Sequence, residues 1–290
     1  MISPKNCGRY FKGIIMNSKF VLTIQDISCV GQCSMTVALP VMSACGHEVC
    51  ILPSAMLSTH TGGFGVPAVK NLTDMMADIR SHWESQGITF DLIYTGYLGS
   101  MEAIEEAKQI MDSMLAPGGI IVVDPAMADH GKLYRGFDEA YARAMTELCT
   151  RAHVVLPNIT EAAMMSGLPF RENYGEAYIR ELLENIPGGD TVLTGVSLEP
   201  GKTGFAVRCG GEITVCHHER VEKSYHGTGD LFAAAFVGAL AGGKELLRAA
   251  QIAAEFTLTA IRNTYRQPAH WYGVKFETAL PKLMELLNEE

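Results

Sequence analysis

Short apolar runs alternate with longer, more polar stretches along most of the chain. The runs are rich in Val, Ile and Leu and predict buried strands, whereas the stretches between them carry apolar residues at helical spacing. The predicted strands are 20–24, 49–52, 92–94, 120–123, 153–156 and 191–193. The predicted helices are 34–44, 69–86, 101–115, 137–150, 160–166, 175–185, 230–241, 245–263 and 275–287. Such alternation predicts an α/β fold whose central sheet is mostly parallel and covered by helices on both faces.

One segment interrupts the alternation. The apolar stretches 205–209 and 212–216 flank Gly210-Gly211, a pattern that predicts an antiparallel β-hairpin at an edge of the sheet. No Pro/Ser-rich linker, internal repeat or charge block divides the chain. We therefore expect a single domain over residues 19–290, preceded by an N-terminal extension, residues 1–18, in which Met16 is a candidate for the natural start.

Composition narrows the classes of partner. The 290 residues carry a net charge of −9 and no basic run, which disfavours a nucleic-acid surface and favours a small-molecule substrate. No segment approaches the ~20 apolar residues of a membrane span, and the first residues lack the apolar core of a signal peptide. The eight cysteines form no zinc-like pairs. We expect a cytoplasmic protein without nucleic-acid or membrane partners.

The sequence Gly227-Thr228-Gly229-Asp230 precedes a helix of small and apolar residues. Glycines that free the backbone at a helix start expose N–H groups that can hold a developing anion. An acid in that turn would repel a phosphate unless it had its own task, and the obvious task is to accept a proton from an attacking hydroxyl. The structural alternative is that Asp230 is a first-turn acid and the glycines only form a tight helix entry.

Oxygen-bearing side chains follow two more predicted strands. Asp124 closes the strand 120–123, and Asn158 with Glu161 follows 153–156. Carboxyl ends of parallel strands meet at one edge of a sheet, and such oxygens suit Mg²⁺. Asn158 and Glu161 are also spaced as a helix N-cap and its partner, a role compatible with the first. The chain has neither a P-loop nor the protein-kinase motifs, which excludes those two nucleotide folds.

Taken in chain order, these motifs resemble the ribokinase-like superfamily and, within its vitamin kinase branch, the pyridoxal kinases. The resemblance extends over nearly the whole chain from Lys19. It is carried by Ile24-Gln25, 58–61, 94–100, Asp124-Pro125 with Asp129 and Tyr134, 157–161 and 227–230. The glycine motif marks the whole superfamily, whereas the stretch Thr95-Gly96-Tyr97-Leu98-Gly99-Ser100 is narrower and marks the pyridoxal kinases.

The resemblance implies a three-layer fold and ATP-dependent phosphorylation of the hydroxymethyl group of pyridoxal, pyridoxamine or pyridoxine, with Mg²⁺, in a homodimer. It implies Asp230 as the base and Gly227, Thr228 and Gly229 as the anion hole. It further implies Asp124 and Glu161 at the metal, Thr61 and Tyr97 at the substrate, and Asp129 and Tyr134 on the lid over ATP and substrate. We also expect Asp26 at the substrate and Asn158 and Thr194 at the ATP site.

Two positions depart from the pattern of this family. Asp26 stands where many pyridoxal kinases have serine, and we hypothesise that it faces the ring hydroxyl, ring nitrogen or amine and favours cationic forms such as pyridoxamine. At Thr194-Gly195 several relatives carry a lysine that reaches the nucleotide. Phosphate charge would then be offset by another residue or by a monovalent cation such as K⁺ or Na⁺.

Other functions are consistent with the same motifs. Hydroxymethylpyrimidine kinases of thiamine synthesis share the fold, but they usually have methionine where this chain has Tyr97, and some have cysteine in place of Asp230. Sugar kinases carry an early β-lid for which the space before Thr61 is too short. A non-catalytic vitamer-binding protein would lack the base or the glycines, and both are present.

Overall fold

The predicted strands all lie in one sheet. The computed structural model describes residues 18–289 apart from Ser224 and Pro268, so the predicted extension, 1–18, lies outside the described residues except for Ser18. The strands are β1 Phe20–Ser28, β2 Glu48–Leu57, β3 Val69–Asn71, β4 Phe90–Thr95, β5 Leu115–Val123, β6 Ala128–Asp129, β7 Lys132–Leu133, β8 Val154–Val155, β9 Asp190–Val196, β10 Lys202–Cys209 and β11 Glu212–Glu219. The helices are α1 Met35–Ala44, α2 Thr73–Ser85, α3 Met101–Met114, α4 Glu139–Cys149, α5 Ile159–Ser166, α6 Glu176–Asn185, α7 Thr228–Ala241, α8 Leu246–Tyr265 and α9 Leu280–Asn288, the last preceded by a 3₁₀ turn, Phe276–Ala279.

The strand order explains where a site can form. Within the described residues the main sheet has the order β11-β10-β9-β8-β5-β4-β1-β2-β3. The strands from β9 to β2 are parallel, while β10 and β11 form the predicted hairpin and β3 is antiparallel to β2. The carboxyl ends of six parallel strands, β1, β2, β4, β5, β8 and β9, therefore share one edge, where ligands bind in such sheets.

Helices cover both faces because the central strands are apolar on both. Val21 and Leu22 of β1 are fully buried on opposite faces of the sheet. Val21 packs in a cluster with α1, α7 and α8, and Leu22 packs in a cluster with α3 to α6. The helix α7 is buried along its whole length from Leu231 to Ala241. Its small residues allow close approach: a Cβ on Gly238 would lie 2.4 Å from the sulfur of Cys45 on the adjoining turn. The three-layer α/β prediction is confirmed.

The structure differs from the prediction in short elements. The predicted helix 69–86 begins as strand β3, because Val69 and Lys70 pair with β2 and the Asn71 side chain accepts hydrogen bonds from the Thr73 N–H and hydroxyl. The two-residue strands β6 and β7 were not predicted. None of the helices in the described part of the chain is long and apolar enough to cross a membrane.

Candidate active site

The turn before α7 can exist only with glycine at its first position. Gly227 is the N-cap of α7 and has φ +76°, in the left-handed region. A Cβ on Gly227 would lie 2.0 Å from the carbonyl oxygen of Gln32. Gly229, two residues later, is exposed and has open space where its side chain would be. Since the first N–H groups of a helix have no carbonyl partner within that helix, this turn presents donors to an anion.

Asp230 lies in the same turn and is half-buried. Its carboxylate accepts hydrogen bonds from the backbone N–H of Ser34 and from the thiol of Cys33. Burial raises the pKa of the Asp230 carboxyl to about 6 and is the largest cause of the shift. The negative charge of Asp26 also raises this pKa, whereas the two hydrogen-bond donors lower it. A carboxyl group with this pKa is ionised near neutral pH and still basic enough to accept a proton.

Ser34 connects two acids of the site. It precedes α1 with φ +51°, a conformation that residues other than glycine seldom adopt. Its backbone N–H donates to Asp230 and its hydroxyl donates to Asp26. The hydroxyl of Ser28 also donates to Asp26, at 3.0 Å. Asp26 is only 3% exposed, and burial raises the pKa of its carboxyl.

Asp124 lies directly after β5, as predicted. Its Oδ1 accepts a hydrogen bond from the Ala126 N–H at 3.1 Å. Burial raises the pKa of the Asp124 carboxyl well above its usual range, and the charges of Glu161 and Asp230 raise it further. The structure therefore brings Asp124, Glu161 and Asp230 into one electrostatic group.

This acidic group has the character of a cation site. In the described residues no lysine or arginine forms an ion pair with Asp124, Glu161 or Asp230. The hydroxyls of Tyr94 and Thr95, buried at the end of β4, have no hydrogen-bond partner among the residues that the structure describes. No cluster of three or more His, Cys, Asp or Glu in the same residues could hold a metal alone. The donor set fits Mg²⁺, which keeps several waters and uses one or two carboxylates with substrate phosphates.

Glu161 also has the structural role that its spacing from Asn158 indicated. Asn158 Oδ1 accepts from the Thr160 and Glu161 N–H groups at 2.8 and 3.0 Å, and Glu161 Oε2 accepts from the Asn158 N–H at 2.9 Å. This capping box starts α5. Burial raises the pKa of Glu161 to about 7, although the N–H donors lower it. The alternative role of a helix cap is thus confirmed, and the carboxylate remains beside Asp124.

The start of α5 also holds the segment that contains the predicted lid residues. Glu161 Oε1 accepts from the N–H groups of Met127 and Ala128, and Asn158 Nδ2 donates to the Ala128 carbonyl. The Gly131 N–H donates to the Thr160 hydroxyl at 3.0 Å. The β6–β7 hairpin is therefore attached to the residues that border the acidic group.

The predicted lid and nucleotide residues are placed differently from one another. Tyr134 is 38% exposed, and burial together with the charges of Glu161 and Asp124 raises the pKa of its hydroxyl. Asp129 is exposed and accepts from the His130 N–H at 2.7 Å. Thr194, on β9, is half-buried, and its N–H donates to the Pro157 carbonyl at 2.9 Å. Tyr134 and Asp129 are thus both exposed, and the charges of the acidic group act on the Tyr134 hydroxyl.

Tyr97 lies at the end of β4 beside Asp26. Its carbonyl accepts the Asp26 N–H at 3.2 Å, and burial and the Asp26 charge raise the pKa of its hydroxyl. The Tyr97 ring stacks on the ring of Phe137, with 5.4 Å between their centroids. The Phe137 ring in turn stacks on that of Tyr141, with 3.7 Å between centroids. Tyr97 is half-buried rather than part of the closed core, so one part of it remains available to a ligand.

Thr61 lies in a loop after β2 and is exposed. The same loop passes over the glycine motif, since a Cβ on Gly62 would lie 2.5 Å from the ring of His226. His60 Nδ1 accepts the Gly62 N–H at 2.9 Å, so Nε2 carries the proton and donates to the Tyr272 carbonyl at 3.3 Å. His60 therefore connects this loop to the segment after α8. Sequence reasoning assigned no roles to His60, Cys33 or Ser34.

Comparisons with known proteins agree with this geometry. The family model described as phosphomethylpyrimidine kinase matches residues 42–274. A crystal structure of pyridoxal kinase from Lactobacillus plantarum is 32% identical, with a TM-score of 0.86 over 92% of this chain and 97% of that chain. A Staphylococcus aureus pyridoxal kinase solved with AMP-PCP and pyridoxal is 25% identical, with a TM-score of 0.73 over 85% and 89% of the two chains. The pyridoxine/pyridoxal/pyridoxamine kinase of Bordetella avium is 27% identical over 256 residues, 84% of this chain and 85% of that protein.

Proposed function

The chain belongs to the phosphomethylpyrimidine kinase family, and from that membership we propose that it transfers the γ-phosphoryl group of ATP to the hydroxymethyl group of pyridoxal, pyridoxamine or pyridoxine. The observation that carries the proposal is Asp230, a carboxyl with pKa about 6 in the same helical turn as the phosphate-binding glycines. The names of the similar kinases, and the pyridoxal and ATP analogue bound by one of them, support the same substrates.

In the proposed reaction Asp230 accepts the proton of the substrate hydroxyl. The freed oxygen lone pair attacks the γ-phosphorus, the bond from that phosphorus to the bridging oxygen breaks, and ADP leaves with the electron pair. The N–H groups at the start of α7 stabilise the charge that develops on the transferred group. Positioning and charge stabilisation supply most of the acceleration, because the protein forms no covalent intermediate in this scheme.

Asp124 and Glu161 are proposed to hold Mg²⁺ through its bound waters. When bound, the ion would neutralise charge on the ATP phosphates. Glu161 has its carboxylate oxygens oriented by three backbone N–H groups, which keeps the charge at a defined place next to Asp124. We also propose that Thr194 and Asn158 border the nucleotide, and that a K⁺ or Na⁺ ion supplies the positive charge that a lysine would bring there.

The substrate ring is proposed to lie between Tyr97, Asp26 and the loop that carries Thr61. Asp26 is a buried acid whose charge raises the pKa of both Asp230 and Tyr97. The β6–β7 hairpin, with Asp129 and Tyr134, is proposed to close over ATP and exclude water, which prevents hydrolysis of ATP in place of transfer.

We further propose that residues 19–290 act as one kinase domain, that the enzyme is a cytoplasmic homodimer, and that the dimer surface includes the β2–β3 edge. Large apolar side chains are exposed there and on the adjoining α2: Met56 at 45%, Val66 at 78%, Val69 at 62% and Met75 at 53%. We propose that the second subunit covers these side chains, because large contiguous apolar surfaces mark protein interfaces. Sedimentation equilibrium of the wild type and of Val69→Asp tests the assignment, since a monomeric wild type would contradict it.

Hydroxymethylpyrimidine is the competing substrate, because one relative, from Bacillus subtilis, is named hydroxymethylpyrimidine/phosphomethylpyrimidine kinase. The deciding experiment offers pyridoxal, pyridoxamine, pyridoxine and hydroxymethylpyrimidine in turn to the purified protein with ATP and Mg²⁺. Phosphorylation of the pyridines that is lost in Asp230→Ala supports the proposal. Preferential phosphorylation of the pyrimidine would replace the substrate assignment, and absence of any transfer would favour a non-catalytic binding protein.

A further inference from the structure

The segment Gln32–Ser34, between β1 and α1, is built against the catalytic turn. A Cβ on Gly227 would lie 2.0 Å from the Gln32 carbonyl oxygen and 3.2 Å from the Cys33 sulfur. The Cys33 thiol and the Ser34 N–H both donate to the Asp230 carboxylate. Asp230 is thus held by two consecutive residues of a segment far from it in the chain.

The Cys33 sulfur is placed to act as a donor and not as a nucleophile. Cys33 is half-buried, and burial together with the charges of Asp230 and Asp26 raises the pKa of its thiol far above physiological pH. The sulfur therefore keeps its proton, and the neighbouring carboxylate accepts it as a hydrogen bond.

The backbone around Cys33 is fixed independently of Asp230. The Thr36 hydroxyl lies 2.8 Å from the Cys33 carbonyl oxygen and 3.1 Å from that of Gly31. The next residue, Ser34, keeps φ +51° and is buried. A non-glycine residue in this conformation persists only where its surroundings determine it, as at functional sites. The thiol consequently meets the carboxylate from a defined direction.

We propose that Cys33 is a positioning residue for the reaction: its S–H donates to one carboxylate oxygen of Asp230 and orients the other towards the substrate hydroxyl. The proposal rests on the proposed role of Asp230 as the base. A free carboxylate samples several rotamers, and only some of them point a lone pair at the attacking hydroxyl. The hydrogen bond from Cys33 selects among them without contacting the substrate.

The test compares Cys33→Ala, which removes the donor, with Cys33→Ser, which keeps one. The exposed Cys29, four residues earlier, supplies the matched control as Cys29→Ala. We measure kcat, KM for pyridoxal, KM for ATP and Tm for each variant. Cys33→Ala is expected to lower kcat on the order of tenfold, the effect of one hydrogen bond to a charged group, with both KM values unchanged. Cys33→Ser is expected to remain within about threefold of the wild type, and Cys29→Ala to equal it.

Two results would overturn the proposal: wild-type kcat in Cys33→Ala, or equal losses in Cys33→Ala and Cys33→Ser. If Cys33→Ala does not fold, Cys33→Val fills the space without a donor, and wild-type kcat in that variant would be decisive against the proposal. Failure of the proposed substrate assignment can be distinguished from failure of the Cys33 proposal. A wild type that phosphorylates only the pyrimidine refutes the B6 assignment, and the same Cys33 comparison is then made with the pyrimidine. A wild type without phosphoryl transfer refutes both.

Discussion

Gly227 and Gln32 approach so closely that no side chain fits between them: a Cβ on Gly227 would lie 2.0 Å from the Gln32 carbonyl oxygen. The obstacle is backbone and not the movable end of a side chain, so it can be relieved only by displacing the loop before α1 or the start of α7. Either movement would disturb Asp230, which both segments hold.

Gly227→Ala is therefore expected to lose at least about a hundredfold in kcat/KM, since the alanine would need both φ +76° and a shifted loop. Its Tm should fall as well. Gly229→Ala is the matched control for stability, because open space surrounds that position. The Tm of Gly229→Ala should equal that of the wild type. If the ATP phosphates approach Gly229, the KM of this variant for ATP should rise. Steady-state kinetics and thermal melts of both variants measure these effects. Wild-type activity in Gly227→Ala would contradict the proposed anion hole.

The acid limb of the pH profile should report Asp230. Because its pKa is about 6 and the base must be ionised, kcat/KM is expected to fall about tenfold per pH unit below that value. Asp230→Asn should lower kcat by about 10²–10⁴ at pH 8 and lose this limb. The measurement is kcat/KM from pH 5 to 9 at saturating Mg²⁺. A wild-type limb that persists unchanged in the residual activity of Asp230→Asn would assign it to another group.

Stability should respond in the opposite sense to activity. The folded protein binds the Asp230 proton more tightly than an unfolded chain, in which the pKa is near 3.8. The resulting stabilisation is complete below the unfolded pKa and is lost as the pH rises through about 6. Asp230→Asn should therefore be more stable than the wild type at pH 8, by on the order of 1–2 kcal/mol, and gain much less at pH 4. Urea unfolding at the two pH values measures the difference. A variant less stable at pH 8 would show that its hydrogen bonds dominate.

Glu161→Gln should destabilise the fold by about 1–3 kcal/mol. The glutamine side chain has one oxygen acceptor in place of two, so at least one buried backbone N–H group loses its hydrogen-bond partner. The wild-type carboxylate accepts from the N–H groups of Met127, Ala128 and Asn158. Glu176→Gln is the control, since Glu176 is also a first-turn acid but is paired at the surface with Arg180. Urea unfolding measures stability, and the Mg²⁺ dependence of kcat measures the proposed role of Glu161 at the metal. A raised Mg²⁺ requirement in Glu161→Gln alone would support it.

Asp26 should set the preference among the three vitamers. Asp26→Ser is expected to lower kcat/KM for pyridoxamine relative to pyridoxine by about tenfold, because the paired charge of a buried carboxylate is lost. Asp26→Asn keeps the shape of the side chain and removes its charge, so comparison with Asp26→Ser separates the effect of the charge from that of side-chain size. Competition between the vitamers in one reaction measures the ratios. Unchanged ratios in both variants would refute the specificity role and leave Asp26 as a partner of Ser28 and Ser34.

The fold was largely predictable because burial on both faces leaves a strong pattern. Runs such as Ile120-Ile121-Val122-Val123 are apolar throughout and mark central parallel strands. The same reasoning placed Asp124 and Asn158 at strand ends, where the structure has them. The strands β3, β6 and β7 were missed because two or three residues carry no periodicity, and their pairing depends on contacts with distant segments.

The parts of the site that could not be predicted depend on local backbone and long-range contact. Ser34 has a left-handed φ that a serine gives no reason to expect, and only the folded chain brings its N–H to Asp230. The roles of Cys33 and His60 arise in the same way, from neighbours on remote segments. A single sequence shows residue types at strand ends, but it does not show which side chain orients another.

The pairing of the segment before α1 with the start of α7 also has a consequence for synthesis. The ribosome releases Cys33 and Ser34 early, whereas Asp230 follows only after every strand of the main sheet has been made. Until α7 emerges, the sheet face that includes Val21, Leu92 and Val122 has no cover from that helix. The chain synthesised before residue 228 therefore lacks a helix that this face needs, and the catalytic centre cannot be complete until Asp230 has been made.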